Sequence, residues 1–265
     1  MSKPAGKCVF CGGVGLTKGH VWPDWLNDIL PRTASHHEHE IGKFYTFDSQ
    51  VKGPEYSKRT RQGHARSRKP RNTCARCNSG WMSNIESLAK HVAVPLIENE
   101  TILVSPFGQT LLASLLCLIA MRLEFLSGGI RSISPEERDW LRYYREPSQH
   151  WRIWIAQFGG EKPDEHWARS YGAQLEPAPT DKIGPEYCNV QVSTLFIGQL
   201  CAHIFYSVDI DLASKVQYEG IELATIWPQP RYEMNSAFLP VLDDKAVLWL
   251  HEAFARESKP MPPSR

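Results

Sequence analysis

Long apolar stretches in the middle of the chain predict buried helices. From Gly108 to Leu126 the residues are apolar on most faces of a helix, which indicates a helix that is buried nearly all round. Ser134, followed by a proline and two glutamates, is a good N-cap and first turn for a second helix that runs through Arg145. We expect both helices to pack on the strands that follow them.

Segments rich in aromatic and β-branched residues come next, as is typical of strands. Four segments are predicted as strands: 151–158 (WRIWIAQF), 190–197 (VQVSTLFI), 202–208 and 221–226. The stretch 159–187 is rich in Gly, Pro and charge, so it predicts connecting loops with room for one more strand. A last helix over 244–256 precedes a Pro-rich tail that we expect to be disordered.

The front of the chain has a different pattern. Residues 1–92 are loop-rich and poor in apolar runs, and their one clear helix is predicted at 79–91. No internal repeat is visible. The sequence therefore predicts an α+β protein with a small domain at 1–92 and a mixed domain of helices and antiparallel strands at 93–265.

Composition sets outer limits on this picture. The chain has 265 residues, of which 42% are hydrophobic and 22% charged, as in ordinary soluble globular proteins. Met1 to Lys7 is polar and shows no apolar signal segment, which predicts a cytoplasmic protein. The apolar run from Pro106 to Met121 is shorter than the ~20 residues that a bilayer requires, so no membrane contact is expected.

Charge is distributed unevenly between the two predicted domains. Residues 1–92 hold 15 Lys and Arg against 7 Asp and Glu, whereas residues 93–265 hold 15 against 22. The front domain is therefore the one suited to binding an anion.

Four of the seven cysteines form two Cys-x-x-Cys pairs, Cys8/Cys11 and Cys74/Cys77. Two such turns can present four thiolates to one ion, and a closed four-thiolate site is typical of structural zinc. Unrelated buried cysteines or a redox pair are the alternative, but a redox pair does not explain the second turn. The remaining three cysteines lie in apolar stretches and are predicted to be core residues: Cys117, Cys188 and Cys201.

The residues around these pairs resemble a known family. His20-Val-Trp-Pro follows the first pair, and Asn78 follows the second pair at the start of the predicted helix. This order is similar to that of the zinc-stapled HNH endonucleases of the ββα-metal type, over about the first 90 residues. The resemblance implies a small zinc-bound ββα-metal domain that hydrolyses DNA phosphodiester bonds.

The family also implies roles for individual residues. His20 would be the general base that activates water, as suits an imidazole with an ordinary pKa of about 6.5. A catalytic Mg²⁺ or Mn²⁺ would be bound by Asn78 and by the residue before the histidine. That residue is Gly19, where the family has Asp or Glu, so Asp24, Glu86, Glu38 or Glu40 would have to substitute. Asn72 is the nearest candidate for the asparagine that orients the base.

A basic run occupies much of the long spacing between His20 and Asn78. Residues 52–71 contain eight Lys and Arg and one acidic residue, Glu55. A solvated loop is the simpler interpretation, and DNA contact is the one favoured here, with RNA also open. The predicted nucleic-acid-binding residues are Lys58, Arg59, Arg61, Arg66, Arg68, Lys69 and Arg71. The spacing implies an insertion at about 35–69. Its cluster His36–Glu40 could bind a second metal, but it is interpreted as an exposed loop that binds metal only adventitiously.

Residues 93–265 carry no catalytic motif, and we expect them to provide control, a homodimer interface or contact with a partner subunit. Two functions of different classes therefore compete. One is a metal-dependent HNH endonuclease of phage defence or a mobile element. The other is a zinc-bound nucleic-acid-binding module or partner subunit that has lost cleavage with the glycine at position 19. A third, weaker possibility is an interaction protein that does not bind DNA.

Overall fold

The computed structural model describes residues 6–30, 36–47, 50–62, 69–126, 131–160, 166–173, 189–228 and 232–253. Cys188, Arg66, Arg68 and the predicted disordered tail lie outside them. Within the described residues, helices and strands are mixed, which confirms the α+β class.

The front of the chain contains very short elements. Strand β1 (Leu16–Thr17) pairs antiparallel with β4 (Thr73–Cys74), and helix α1 (Leu26–Ile29) lies between them in sequence. The chain then turns into α2 (Ala75–Cys77), a π-helical segment (Asn78–Met82) and α3 (Ser83–Ile97). Gly80 breaks the helical geometry between them, with φ −100° and ψ −112°. The predicted helix at 79–91 is therefore present as α3, but its regular part begins later, at Ser83, and it extends further, to Ile97.

The expectation of loops was wrong for residues 36–47 and 50–62. Strands β2 (His36–Phe47) and β3 (Gln50–Gln62) form a long antiparallel hairpin, and β2 passes close to an edge strand of the large sheet. The segment lacks the alternation of apolar and polar residues that signals a half-buried strand, so pattern did not reveal it. Its register sets residues of opposite charge across from each other, Glu40 opposite Lys58 and Lys43 opposite Glu55.

A six-stranded sheet dominates the second part of the chain. It is built from β6 (Trp151–Phe158), β7 (His166–Ala173), β8 (Val190–Ile197), β9 (Leu200–Ser207), β10 (Ala224–Trp227) and β12 (Val241–Leu242). The strand order is β10-β6-β9-β8-β7, all antiparallel, and β12 pairs parallel with β6. The sheet is therefore mixed, whereas only antiparallel strands were expected. The additional strand that was expected within 159–187 is β7.

Helices cover both faces of this sheet. On one face lie α4 (Pro106–Leu123) with a 3-10 turn (Glu124–Leu126), and α5 (Pro135–Tyr144). Side chains on the other face pack with α6 (Ile210–Lys215) and α7 (Asp244–Glu252). Alternate residues of β6 divide accordingly, since Ile153 and Ile155 face α4 while Trp154 and Phe158 face the second layer. A small pair, β5 (Leu103–Val104) with β11 (Met234–Asn235), completes the described strands.

Helix α4 is the most deeply buried helix. With the following turn it is the one described segment that is long and apolar enough to cross a membrane, but 78% of its 18-residue apolar window is buried inside the protein. It begins where Ser105 accepts a hydrogen bond from the amide of Gly108. Its thiol at Cys117 is fully buried, as is Cys201 of β9, and burial raises the pKa of both, to about 12 for Cys201. Both were predicted to be core residues, and both are.

One hydrophobic core joins the two parts of the chain. Phe10, Trp22 and Met82 from the front are buried in the same cluster as Leu116 of α4 and Ile204 of β9. The boundary expected at residue 92 falls inside α3, while division into two domains stays a prediction.

Candidate metal centre and the site beside it

The four cysteines of the two Cys-x-x-Cys pairs come together at one point. The Sγ atoms of Cys8, Cys11, Cys74 and Cys77 all lie within 4.8 Å of one another. The Sγ atoms of Cys11 and Cys74 are 3.6 Å apart, close to the ~3.8 Å edge of a tetrahedron with Zn–S bonds of ~2.3 Å. The donors fit a metal ion, and their chemistry is compatible with structural zinc.

Local backbone geometry builds each half of this centre. The first pair lies on a tight turn in which the amide of Gly12, at φ +68°, donates to the carbonyl of Cys8 at 2.8 Å. The second pair begins at the end of β4 and continues into the first turn of α2. The amide of Val9 donates to the carbonyl of Asn72 at 3.0 Å, which ties the two halves together.

The surroundings of the thiols shift their pKa values in opposing directions. Burial would raise the pKa of Cys8, but hydrogen bonds from the backbone of Cys74, Phe10 and Cys11 lower it to about 7. Burial raises the pKa of Cys11 and Cys77. Because metal binding requires thiolates, an ion at this point would release protons from these thiols.

The predicted base has a carboxylate partner. His20 is half-buried, and its Nδ1 lies 3.0 Å from Oδ1 of the exposed Asp24. The amide of Gly19 donates to the carbonyl of Pro70 at 3.2 Å, next to β4. The sequence offered Asp24 as a substitute metal ligand, whereas in the structure its carboxylate contacts the imidazole.

Positions 19 and 78 are close neighbours in space. A Cβ atom placed on Gly19 would lie 3.1 Å from Oδ1 of Asn78. Asn78 is the first residue after the second pair and begins the π-helical segment. The cysteine centre therefore brings Gly19, His20 and Asn78 to one place although 58 residues separate the ends of this set.

An ion pair between α4 and α3 lies close enough to His20 to affect its pKa. Arg122 of α4, buried, donates from its Nη1 to Oε1 of Glu86 of α3 at 2.5 Å. Burial lowers the pKa of His20, Asp24 and Glu86 raise it, and Lys69 and Arg122 lower it further, so that the pKa lies below its ordinary value. Arg122 was not predicted from the sequence to lie near His20. Its signal was available, since it is the one charged residue between Pro106 and Leu123.

Asn72 lies at the metal centre. Its Oδ1 accepts a hydrogen bond from Thr73 at 3.1 Å, and its Nδ2 is buried without an acceptor among the described residues. No hydrogen bond joins it to His20 in that part of the chain. Its predicted role in orienting the base stays a prediction.

The predicted nucleic-acid-binding residues fall into three groups. Lys58, Arg59 and Arg61 lie on β3. Lys69 and Arg71 are exposed just before β4, and Nε of Arg71 donates to the carbonyl of Leu16 at 3.3 Å. Arg66 and Arg68 lie outside the described residues.

Among the described residues, the four cysteines are the one group of three or more His, Cys, Asp and Glu side chains close enough to bind a metal. Comparison of the chain with protein-family models, with curated proteins and with solved structures finds no match. The likeness to HNH endonucleases therefore rests on the sequence motifs around the four cysteines and His20 alone.

Proposed function

We propose that this chain is a zinc-stapled HNH-type endonuclease that hydrolyses DNA phosphodiester bonds with His20 as general base. The observation that carries the proposal is the contact between positions 19 and 78, where a Cβ on Gly19 would lie 3.1 Å from Oδ1 of Asn78. These are the two positions that the family uses as metal ligands, and they are brought together beside His20. The short β1–β4 pair followed by a helix also supports a ββα arrangement.

The residues support a simple first step of hydrolysis. With its Nδ1–H donating to Asp24, His20 has Nε2 free to accept a proton from water. The oxygen of that water forms the new bond to phosphorus, and the opposite P–O bond breaks, with its electron pair remaining on the leaving oxygen. The lowered pKa keeps the imidazole neutral, and hence able to accept a proton, at neutral pH.

A divalent cation at such a site would neutralise charge on the phosphate. The residues beside His20 fit one incompletely, because Asn78 offers one amide oxygen and Gly19 offers no ligand. Mg²⁺ is usually bound by one or two carboxylates together with substrate phosphates and water. The residue at position 19 therefore determines how well this site can bind a divalent cation.

The same glycine favours a second candidate function. A chain that keeps the cysteine centre and the basic residues but lacks the ligand at position 19 would bind nucleic acid without cutting it. Such binding would weaken steeply with salt, because it depends on neutralising phosphates. DNA as the substrate, a cytoplasmic role in phage defence or a mobile element, and a homodimer or partner contact through 93–265 are parts of the proposal that rest on the resemblance.

Plasmid cleavage separates the two functions. Purified protein and His20→Ala are incubated with supercoiled DNA at low salt in Mg²⁺, Mn²⁺ or EDTA, and zinc is measured in both preparations. We expect metal-dependent nicking by the wild type and a loss of ~10²–10⁴-fold in His20→Ala at unchanged zinc content. Absence of cutting by a zinc-replete wild type under every condition would overturn the nuclease proposal and favour the binding module.

Gly19→Asp tests the missing ligand directly. Gly19 has room for a side chain if Asn78 shifts by a few tenths of an ångström, and no positive φ stands in the way. We expect the variant to cut DNA at lower Mg²⁺ concentrations than the wild type. Gly19→Ala is the matched control, because it adds the Cβ without a carboxylate. An equal Mg²⁺ requirement in all three proteins would contradict a metal site between residues 19 and 78.

A further inference from the structure

A groove of about 750 Å³ lies against the four-cysteine centre. Both cysteine pairs line it, and so does the end of α5 from the second part of the chain. Among the lining residues are Cys11, Cys74, Cys77, Trp81, Arg142 and Arg145. Two arginines from a distant part of the sequence therefore line the same groove as three of the four cysteines.

Arg145 is held in place at both its backbone and its side chain. It ends α5 in the left-handed conformation, at φ +64° and ψ +17°, and its carbonyl accepts a hydrogen bond of 2.8 Å from Ser114 of α4. Its Cζ lies 5.2 Å from the centroid of the Trp81 ring, which is a cation–π distance. The ring of Trp81 itself packs edge-on against Phe10, with centroids 5.5 Å apart.

Arg142 is oriented by a carboxylate one turn earlier. Its Nη2 lies 2.6 Å and its Nε 2.8 Å from Oδ1 of Asp139. The hydrogen bond to Asp139 raises the pKa of Arg142, and the nearby Cys77 and Cys11 raise it further. Burial and the neighbouring Arg142 lower the pKa of Arg145, while Cys77 acts in the opposite direction.

Charge explains why arginines should face this centre. Four thiolates around one Zn²⁺ carry two net negative charges, and thiolates are favoured beside cationic side chains. We propose that Arg142 and Arg145 are the counter-charges of the zinc centre, so that the end of α5 is part of the metal site. This proposal rests on metal binding by the four cysteines and does not depend on DNA cleavage.

Zinc release from the full-length protein tests the proposal. A coloured zinc chelator in excess measures the release rate, and competition with chelators of known affinity measures binding. We expect Arg142→Met with Arg145→Met to bind zinc about 10- to 100-fold more weakly and to release it faster, as is typical when partners of metal ligands are removed. The Lys pair, Arg142→Lys with Arg145→Lys, keeps the charges and should stay closer to the wild type.

Arg131→Met is the matched control. Arg131 also lies over an aromatic ring, with its Cζ 5.0 Å from the Phe125 centroid, but it does not line the groove. Cobalt(II) in place of zinc shows tetrahedral thiolate coordination by its absorption bands, so weaker binding is distinguished from loss of the folded site. Release at the wild-type rate by the Met pair, or equal weakening by the Lys and Met pairs, would overturn the proposal. A wild-type protein without zinc would overturn it together with the metal centre.

Discussion

Residues 6–30 and 69–82 hold short elements near four cysteines, whereas the large sheet buries its side chains between two layers of helices. Strands β1 and β4 have two residues each, and α1 has four. In β9, by contrast, all eight residues are buried. Elements as short as those at the front cannot gather enough apolar surface alone, so we expect a metal bound by the cysteines to contribute folding free energy there, in addition to the shared core. The sheet region needs no such contribution.

The two regions nevertheless meet in shared contacts. Helix α3, which follows Trp81, packs into the common core. Arg122 of α4 donates a hydrogen bond to Glu86 of α3. The two regions therefore differ in how they are stabilised, but they are not independent of each other. We therefore expect a substitution in one region to change the stability of the other only where it removes one of these contacts.

Removal of one zinc ligand should have the largest effect. We expect Cys74→Ser to bind zinc much more weakly, because one of four thiolates is lost, and hence to lose part of the roughly 10–16 kcal/mol that binding of structural zinc contributes to folding. Amide hydrogen exchange should then speed up in 6–30 and 69–82 and remain slow in β6, β8 and β9. Cys201→Ser, which alters a buried thiol outside the centre, should keep its zinc. Full zinc content in Cys74→Ser would contradict a four-cysteine site.

Truncation of a core side chain in the sheet should cost less. Ile155 of β6 is fully buried against α4. Ile155→Ala should lower the free energy of unfolding by about 2–5 kcal/mol, measured by denaturant titration, since it removes buried methyl groups and leaves a cavity. Thr225→Ala, at an exposed position of the neighbouring β10, is the control and should change stability little. Loss of zinc in folded Ile155→Ala would mean that the two regions do not differ as described.

The ion pair between Arg122 of α4 and Glu86 of α3 should contribute a smaller amount to the free energy of unfolding. Arg122→Met leaves Glu86 without its buried partner, so we expect a loss of about 1.5–3 kcal/mol in the free energy of unfolding. Adding Glu86→Gln removes the unpaired charge and should recover part of that loss. Strictly additive effects of the two substitutions in a double-mutant cycle would show that the pair does not couple α3 to α4.

The smallest effect concerns the pH dependence of cleavage. Burial, Lys69 and Arg122 lower the pKa of His20, so the neutral base persists below the ordinary value of 6.5 and is lost as the pH falls through the lowered pKa. The acid limb of the cleavage rate should therefore lie below pH 6.5. Arg122→Met should move this limb to higher pH, because it removes a cation, and Asp24→Asn should move it to lower pH. Shifts in the same direction would contradict this electrostatic account.

Local signals in the sequence predicted much of the second region. Ser134 caps α5 as expected, accepting from the amide of Glu137, and the strands at 151–158 and 190–197 have the predicted bounds. These features depend on residues close together in sequence. The hairpin of β2 and β3 does not show in this way, because each strand is specified by its partner across the ladder rather than by its own apolar pattern.

By itself, the sequence determined the α+β class, the buried helix at α4 and the set of four cysteines, since spacing and periodicity are local properties of the chain. The tertiary structure alone decided that Gly19 lies against Asn78, that Asp24 contacts His20, and that Arg122, Arg142 and Arg145 approach the front region. Those contacts join residues far apart along the chain. They form because one hydrophobic core packs both regions together, and no single segment carries a pattern for that packing.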